Sequence, residues 1–392
     1  MTEDHLGDVA KGVATTAVKP RKTSWKRRAL YFLLCGALIL LVGVASCGYY
    51  VRNALKDGGY FENWDEEIDG EALLDVRYGD EEYQVFDAYV PKNRAPEKLR
   101  GAALFIHGGA WVGGSRAEQV GFAKRAAKAG YLSFNMEYLL YSEDTKEEYT
   151  IEAVLDDVDK ALEKAKEIGA KYGYRLDRVA LSGHSAGGHI ASLYAYKRGK
   201  TAPLPVKFVM ARVAPIDFHY DAWSSVQKSK TVATLVSAMT GAELTADDIE
   251  NPTDETEALI DSISPLSYVK PGVTPTIAAY ASKDILVGTG HKDKLTAAFE
   301  KLGAKSIAEV AADDSCPVFD FVEFPNSNHM LGRDPDRTMR LWGLFLKYSE
   351  RYLHEIPTEE AETLEEWGEA VERRALDEER RSPIHDDDLE PR

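Results

Sequence analysis

Cysteine is scarce in this 392-residue sequence, which holds only three copies. Only Cys316 falls well inside the region predicted to fold, so no disulfide framework can be assigned. Positive charge is also in short supply, and the formal net charge is −17. A nucleic-acid-binding protein needs a basic surface to meet the phosphates, so this balance argues against nucleic acid as a partner. Hydrophobic residues make up 44% of the chain, enough for a buried core and too many for global disorder.

One long apolar run stands apart from this acidic composition. Residues 29–51 carry no charge, and six basic residues lie between Lys19 and Arg28. A helix of about 23 residues rises roughly 34 Å, enough to cross a hydrocarbon core of ~30 Å. Basic flanks stay on the cytoplasmic side. We therefore predict a cytoplasmic segment (1–28), a single transmembrane signal anchor (29–51) and an extracytoplasmic remainder.

Cleavage of that segment is the alternative. Val44-Ala45-Ser46-Cys47-Gly48 resembles the lipobox of bacterial lipoproteins, in which Cys47 would be lipidated after cutting. Both readings tether the rest of the chain to the outer face of a membrane.

The remaining chain divides by composition. Residues 52–72 are acidic and are predicted to form a stalk, and residues 355–392 form an acidic tail with few apolar residues. Between them, 73–354 alternates short apolar runs with amphipathic stretches. That alternation predicts an α/β fold, a mostly parallel sheet flanked by helices. A long insertion at 218–270 separates two predicted strands and is expected to act as a cap.

The clearest chemical motif is Gly183-His184-Ser185-Ala186-Gly187. An apolar strand over 178–181 precedes it, and a helix rich in small residues follows. A nucleophile elbow needs this arrangement, because a tight turn exposes the serine hydroxyl and glycines allow close approach of strand and helix. We therefore predict that Ser185 is a nucleophile. The simpler alternative is a glycine-rich turn before a helix.

A serine nucleophile needs a base and an acid that orients the base. After a serine in such an elbow, the acid comes next along the chain and the histidine base follows it. Asp284 ends the strand predicted at 276–281, and His329 lies in a polar loop directly after the strand at 319–324. These two residues are the predicted acid and base. Asp217 is the alternative acid, with capping or turn formation as its structural role. His291 follows Asp284 closely and is predicted to be a surface or pocket residue.

The third element is the small-residue run that begins at His107, directly after the strand predicted at 102–106. Consecutive small residues let backbone N–H groups turn toward a substrate carbonyl. Gly109 and Ala110, with the N–H of Ala186, are the predicted oxyanion-hole donors. Trp111 is predicted to line the substrate pocket, with a core position as the alternative.

Together these motifs resemble a known family. The stretches FIHGGAWVGG from Phe105, DDV from Asp156 and LDRVALSGHSAGGH from Leu176 are similar to one branch of the α/β-hydrolases. That branch contains bacterial feruloyl-type esterases, hormone-sensitive-lipase-like carboxylesterases and kynurenine formamidases. Two departures occur: Ala110 replaces the frequent third glycine of the oxyanion motif, and Leu139-Leu140 follows Tyr138 where relatives usually have Tyr-Arg-Leu.

The sequence therefore predicts a membrane-tethered serine hydrolase that cleaves small-molecule carboxylic esters without a metal or an organic cofactor. An amidase or formamidase would use the same three residues. A non-catalytic, membrane-displayed binding protein on a hydrolase scaffold is the alternative from another functional class.

Overall fold

A computed structural model describes residues 63–92, 101–311 and 315–354. Eight strands form one sheet in the order β1-β2-β4-β3-β5-β6-β7-β8. β2 is antiparallel to β1 and β4, and all other neighbours pair in parallel. The strands are β1 (Gly70–Arg77), β2 (Val85–Pro91), β3 (Gly101–Ile106), β4 (Leu132–Met136), β5 (Arg178–His184), β6 (Val206–Arg212), β7 (Thr276–Ala281) and β8 (Phe319–Phe324).

Nine α-helices accompany this sheet within the described ranges, and two short 3₁₀ turns lie at Arg116–Gln119 and Pro265–Tyr268. The helices are α1 (Val120–Lys128), α2 (Ile151–Lys171), α3 (Ala186–Lys197), α4 (Tyr220–Trp223), α5 (Ser229–Thr240), α6 (Ala246–Glu250), α7 (Asp254–Ile263), α8 (Thr289–Lys301) and α9 (Pro335–Leu353). The prediction of a mostly parallel sheet with flanking helices is confirmed.

The burial of the central strands explains why they could be predicted from the sequence. Every residue of β3 and of β7 is buried, because helices cover both faces of the sheet. A strand covered on both faces reads as a continuous apolar run. The carboxyl ends of β3, β5, β7 and β8 lie at the same edge of the sheet, since these strands are parallel. The loops that carry the predicted site residues therefore meet at that edge.

Trp64 and the start of β1 belong to the folded domain, although both fall in the predicted stalk. The indole of Trp64 donates a hydrogen bond to Gly70 O at 2.9 Å and packs edge-on against Tyr89. β1 starts at Gly70 and pairs with β2. Part of the segment 52–72 thus belongs to the domain. β1 was not predicted from the sequence. It is an edge strand whose register shifts near Asp75, a residue with φ 53°. Because of this shift its apolar residues do not alternate regularly.

The insertion 218–270 contains α4 to α7 and connects β6 to β7. In the part of the chain that the structure describes, no helix combines the length and apolarity needed to cross a membrane. The predicted anchor at 29–51, the basic segment 1–28 and the acidic tail 355–392 lie outside the described residues.

Candidate active site

Ser185 occupies the turn between β5 and α3, with φ 55° and ψ −120°. Two glycines make this turn possible. A Cβ on Gly183 would lie 2.1 Å from the carbonyl oxygen of Gly187, and one on Gly187 would lie 2.2 Å from that of Ile106. Non-glycine residues rarely adopt positive φ, and they do so mainly where the surrounding structure enforces it. The sequence motif therefore produces a strained turn with Ser185 at its tip.

Asp284 and His329 are joined directly, although 45 residues separate them along the chain. The Nδ1–H of His329 donates to Asp284 Oδ2 at 2.7 Å. The other carboxylate oxygen, Oδ1, accepts hydrogen bonds from the N–H groups of Leu286 at 2.8 Å and Val287 at 3.0 Å. These bonds fix the carboxylate after β7. They leave Nε2 of His329 as the ring nitrogen that can accept a proton.

The alternative acid, Asp217, has other partners. Its Oδ1 accepts a hydrogen bond from His219 Nδ1 at 2.7 Å, and its Oδ2 lies 2.6 Å from Lys294 Nζ. Burial raises the pKa of Asp217, but the bonds from His219 and Lys294 outweigh it and lower the pKa to about 2. Asp217 thus stabilises the start of the insertion, and Asp284 is the carboxylate that meets His329.

The loop of His329 is also tied to the serine turn. Nε2–H of His184 donates to the carbonyl oxygen of His329 at 2.9 Å, and the two rings meet edge to face at 5.1 Å between centroids. Since His184 immediately precedes Ser185, this bond holds the His329 loop against the turn.

The run after β3 forms a tight loop with three consecutive positive φ values: Gly109 at 112°, Ala110 at 53° and Trp111 at 62°. The carbonyl oxygen of Gly109 accepts from the N–H groups of Val112 and Gly113. A Cβ on Gly108 would lie 3.4 Å from the Cβ of Ser185, so the loop touches the serine turn.

Two predicted N–H donors lie on this loop, and the third belongs to Ala186, the residue after Ser185. Within the described ranges, the N–H groups of Gly109 and Ala110 donate to no backbone carbonyl, and both residues are exposed. Ala186 is the first residue of α3, and the first N–H groups of a helix have no intrahelical partner. These are the donors that the sequence predicts for an oxyanion hole.

Trp111 is more enclosed than a pocket wall would suggest, with 4% of its surface exposed. Its Nε1–H donates to His189 Nδ1 at 3.2 Å, and its ring packs against Phe218. His189 in turn donates from Nε2 to the carbonyl oxygen of Ile263, the last residue of α7, at 2.8 Å. Burial lowers the pKa of His189 to about 4, so it stays neutral and bridges the two partners. A contact between Trp111 and substrate stays a prediction.

A cluster of charged side chains next to the loop that follows β3 was not predicted. His107 Nε2 lies 3.1 Å from Glu137 Oε2, and Arg116 binds Glu137 at 3.2 Å and Asp87 at 3.0 Å. The hydroxyl of Tyr138 donates to His107 O at 3.1 Å. Burial raises the pKa of Glu137, but the bonds from His107 and Arg116 outweigh it and lower that pKa. Nothing in the sequence linked Glu137 to His107 or Arg116.

This arrangement suits nucleophilic acyl transfer. It combines a serine on a strained turn, an imidazole oriented by a carboxylate, and backbone N–H groups that can receive a developing negative charge. Among the residues that the structure describes, no group of three or more His, Cys, Asp or Glu side chains is placed to hold a metal ion.

Comparison with known families agrees with this geometry. The profile of the family described as BD-FAE matches residues 86–299, which is more than half of the chain. A probable isoprenylcysteine alpha-carbonyl methylesterase from Oryza sativa subsp. japonica is 28% identical over 160 residues, covering 41% of this chain and 33% of that protein. Esterase LipQ from Mycobacterium tuberculosis is 23% identical over 250 residues, covering 62% of this chain and 53% of that protein. The matched regions thus span about a third to a half of these relatives.

Solved structures share the fold at low sequence identity. Esterase B from Lactobacillus rhamnosis has a TM-score of 0.59 at 17% identity, covering 80% of this chain and 96% of that one. A truncated carbohydrate esterase from gut microbiota has a TM-score of 0.56 at 16% identity, covering 73% and 99%. The predicted α/β-hydrolase fold is confirmed. The branch within that superfamily stays a prediction.

Proposed function

The chain belongs to the BD-FAE family, and we propose that it is a serine hydrolase that cleaves carboxylic esters with Ser185, His329 and Asp284. The observation that carries this proposal is the 2.7 Å bond between His329 and Asp284, in a loop tied to the turn of Ser185. Relatives named as a methylesterase and an esterase add support.

The reaction proceeds in two steps. Ser185 Oγ attacks the ester carbonyl carbon while Nε2 of His329 takes the hydroxyl proton, and a tetrahedral intermediate forms. Its collapse breaks the bond to the alcohol, which leaves with the proton held by His329. Water then adds to the acyl-serine with the same proton transfers, and the free acid departs. Asp284 keeps Nδ1 protonated and stabilises the imidazolium in both steps.

The N–H groups of Gly109, Ala110 and Ala186 receive the oxyanion. Each donor of this kind contributes about 3 to 4 kcal/mol to transition-state stabilisation. Their loop is already held in a tight turn before substrate arrives, because Gly109 O accepts from the N–H groups of Val112 and Gly113. Such preorganisation avoids a reorganisation cost during the reaction.

A fluorophosphonate probe tests this assignment. The wild-type protein should be labelled at Ser185 and should hydrolyse p-nitrophenyl acetate, and Ser185→Ala should lose both. Ser192→Ala is a matched control, because Ser192 is buried on α3 and its hydroxyl has no hydrogen-bond partner among the described residues. Wild-type protein that neither reacts with the probe nor cleaves the ester would favour the binding-protein alternative.

The location is part of the same proposal. The uncharged run at 29–51 and its basic flank support a membrane anchor with the catalytic domain outside the cytoplasm. Resistance of the full-length protein to alkaline carbonate extraction would support anchoring. Metabolic labelling with palmitate separates the two forms: a lipoprotein should incorporate label that Cys47→Ala abolishes, whereas a transmembrane anchor should give the same result with and without Cys47.

A further inference from the structure

Exposed apolar side chains gather around the predicted catalytic residues. Among the described residues, six large apolar side chains are strongly exposed. Four of them lie within two positions of a predicted site residue: Val112 after Ala110, Ile285 and Leu286 after Asp284, and Met330 after His329. Their exposed fractions run from 45% to 76%. Single exposed apolar residues are ordinary, whereas a group of them at a site is typical of a binding surface.

The contacts already described bring the loops of these four residues together. The bond between Asp284 and His329 joins the loop of Ile285 and Leu286 to that of Met330, since consecutive Cα atoms are only about 3.8 Å apart. The loop of Val112 touches the serine turn through Gly108, and the His329 loop is tied to the same turn by His184. The four exposed side chains, here called the apolar rim, therefore lie on the loops that meet at the predicted site.

The rim is held in place rather than left loose. Asp284 accepts the N–H of Leu286, and the Gln227 side chain in the insertion donates to Leu286 O at 3.2 Å. Met330 N–H donates to Asn328 Oδ1 at 3.1 Å. The backbone is thus fixed while the side chains face solvent. A protein that only needed these loops to shape the site would gain solubility from polar side chains at the same positions.

We propose that the apolar rim binds an extended apolar chain of the ester substrate. This inference rests on the proposed esterase function. Val, Ile, Leu and Met offer a flexible aliphatic surface with no charge or hydrogen-bonding group, which matches an alkyl or acyl chain. Each methylene that such a surface removes from water strengthens binding by up to a few-fold. The substrate class is therefore an ester with an apolar chain, carried on either the acid or the alcohol.

The test compares two ester series with the full-length protein. One series lengthens the acid from p-nitrophenyl acetate to hexanoate, and the other lengthens the alcohol from ethyl to hexyl acetate, all below their aggregation limits. We expect kcat/KM of the wild type to rise about two- to threefold per added methylene in at least one series. Ile285→Ser combined with Met330→Ser should lower the ratio of long-chain to short-chain kcat/KM about tenfold in that series.

A matched control is available in the same domain. Ile68 and Leu74 are also strongly exposed but lie at the β1 edge of the sheet, so Ile68→Ser with Leu74→Ser should leave the chain-length ratio unchanged. A flat chain-length dependence in both wild-type series, or equal effects of the two double variants, would overturn the proposal. Fluorophosphonate labelling and acetate hydrolysis by the wild type are read separately, so failure of the esterase assignment would be recognised as such.

A second experiment distinguishes whether the apolar rim binds a substrate chain or a lipid bilayer. The hexanoate ester is supplied dissolved and then within phosphatidylcholine vesicles. A rim that binds the substrate chain predicts a similar loss for Ile285→Ser with Met330→Ser in both forms. A loss confined to vesicles would replace the proposed chain subsite with a membrane-docking surface.

Discussion

His184 donates its Nε2–H to the main-chain carbonyl oxygen of His329 at 2.9 Å, across 145 residues of sequence. Burial lowers the pKa of His184 well below 6.5, so the ring is neutral and carries one N–H. A carbonyl oxygen can only accept, which assigns that N–H to Nε2. The residue before Ser185 thereby positions the loop of the proposed base.

Replacing His184 tests this positioning role. His184→Phe keeps a ring but removes the donor, and we expect kcat for p-nitrophenyl acetate to fall about 10- to 100-fold with KM little changed, because misplacement of a catalytic group costs this much. The rate of fluorophosphonate labelling should fall in parallel. His184→Gln supplies an amide donor and should recover part of the loss.

A purely structural role for His184 would give a different pattern. In that case both variants would lower the melting temperature, and kcat per labelled active site would stay at the wild-type level. Equal activity of the Phe and Gln variants would also contradict a role for the donor.

Substitutions of Asp284 and Asp217 distinguish which of the two carboxylates orients His329. Asp284→Asn should lower kcat/KM on the order of 10⁴-fold, because an amide cannot hold the protonated Nδ1 of His329 as a carboxylate does. Asp217→Asn removes one carboxylate from Lys294, which is partly exposed and keeps Asp221 as a partner, so we expect a loss of about 1 to 3 kcal/mol of stability. Its kcat/KM, measured below the melting temperature, should stay within about fivefold of wild type. The reverse ranking would transfer the acid role to Asp217.

Gly109 offers a test of the oxyanion loop. A Cβ at Gly109 would lie 2.0 Å from the carbonyl oxygen of Gly113, so Gly109→Ala must displace the loop and its N–H donors. We expect kcat to fall about 10²- to 10³-fold, as for loss of one donor. Gly241→Ala is the control: its φ is 74° but nothing lies within 4 Å, so it should lower stability by about 1 kcal/mol and spare activity. Similar kcat values for both variants would remove the loop from the mechanism.

The contact between Asp284 and His329 could be anticipated from the sequence because each follows a strand buried enough to read as an apolar run. Parallel strands then bring their carboxyl ends to one edge, whatever the separation along the chain. Ser185 was recognisable for another reason. The turn has no room for a Cβ at positions 183 and 187, so both must be glycine, and that requirement is visible in the sequence.

Contacts between distant polar residues could not be anticipated. Arg116 and Glu137 meet beneath the oxyanion loop, and His184 meets His329, through side chains whose rotamers depend on the packed structure. His291 was predicted to be a surface or pocket residue, and the surface position was wrong: it is fully buried, with its ring edge-on to Trp223. A pocket position stays a prediction. Sequence alone gives no signal for that burial, because histidine occurs both inside and outside proteins.

The burial of His291 gives a prediction for stability against pH. Burial lowers its pKa to about 3, whereas an exposed histidine titrates near 6.5. Between these values the unfolded chain binds a proton that the folded chain does not, so the free energy of unfolding falls as pH drops below 6.5. The loss is about 1.4 kcal/mol per pH unit for each such histidine. His189, with a pKa of about 4, acts in the same direction.

His291→Phe tests the contribution of His291 to this pH dependence. Phenylalanine keeps a ring against Trp223 and removes both ring nitrogens: Nε2 has no hydrogen-bond partner among the described residues, whereas Nδ1 accepts the N–H of Ile216 at 3.4 Å. Urea unfolding from pH 8 to pH 4.5 should show a pH slope reduced by about one proton below pH 6.5. Stability at pH 8 should fall by about 1 to 3 kcal/mol, because the buried N–H of Ile216 loses its acceptor. Ser192→Ala is the control: it removes no titratable group and its hydroxyl has no hydrogen-bond partner among the described residues, so it should leave the slope in this window unchanged. An unaltered slope in His291→Phe would show that His291 is protonated in the folded protein.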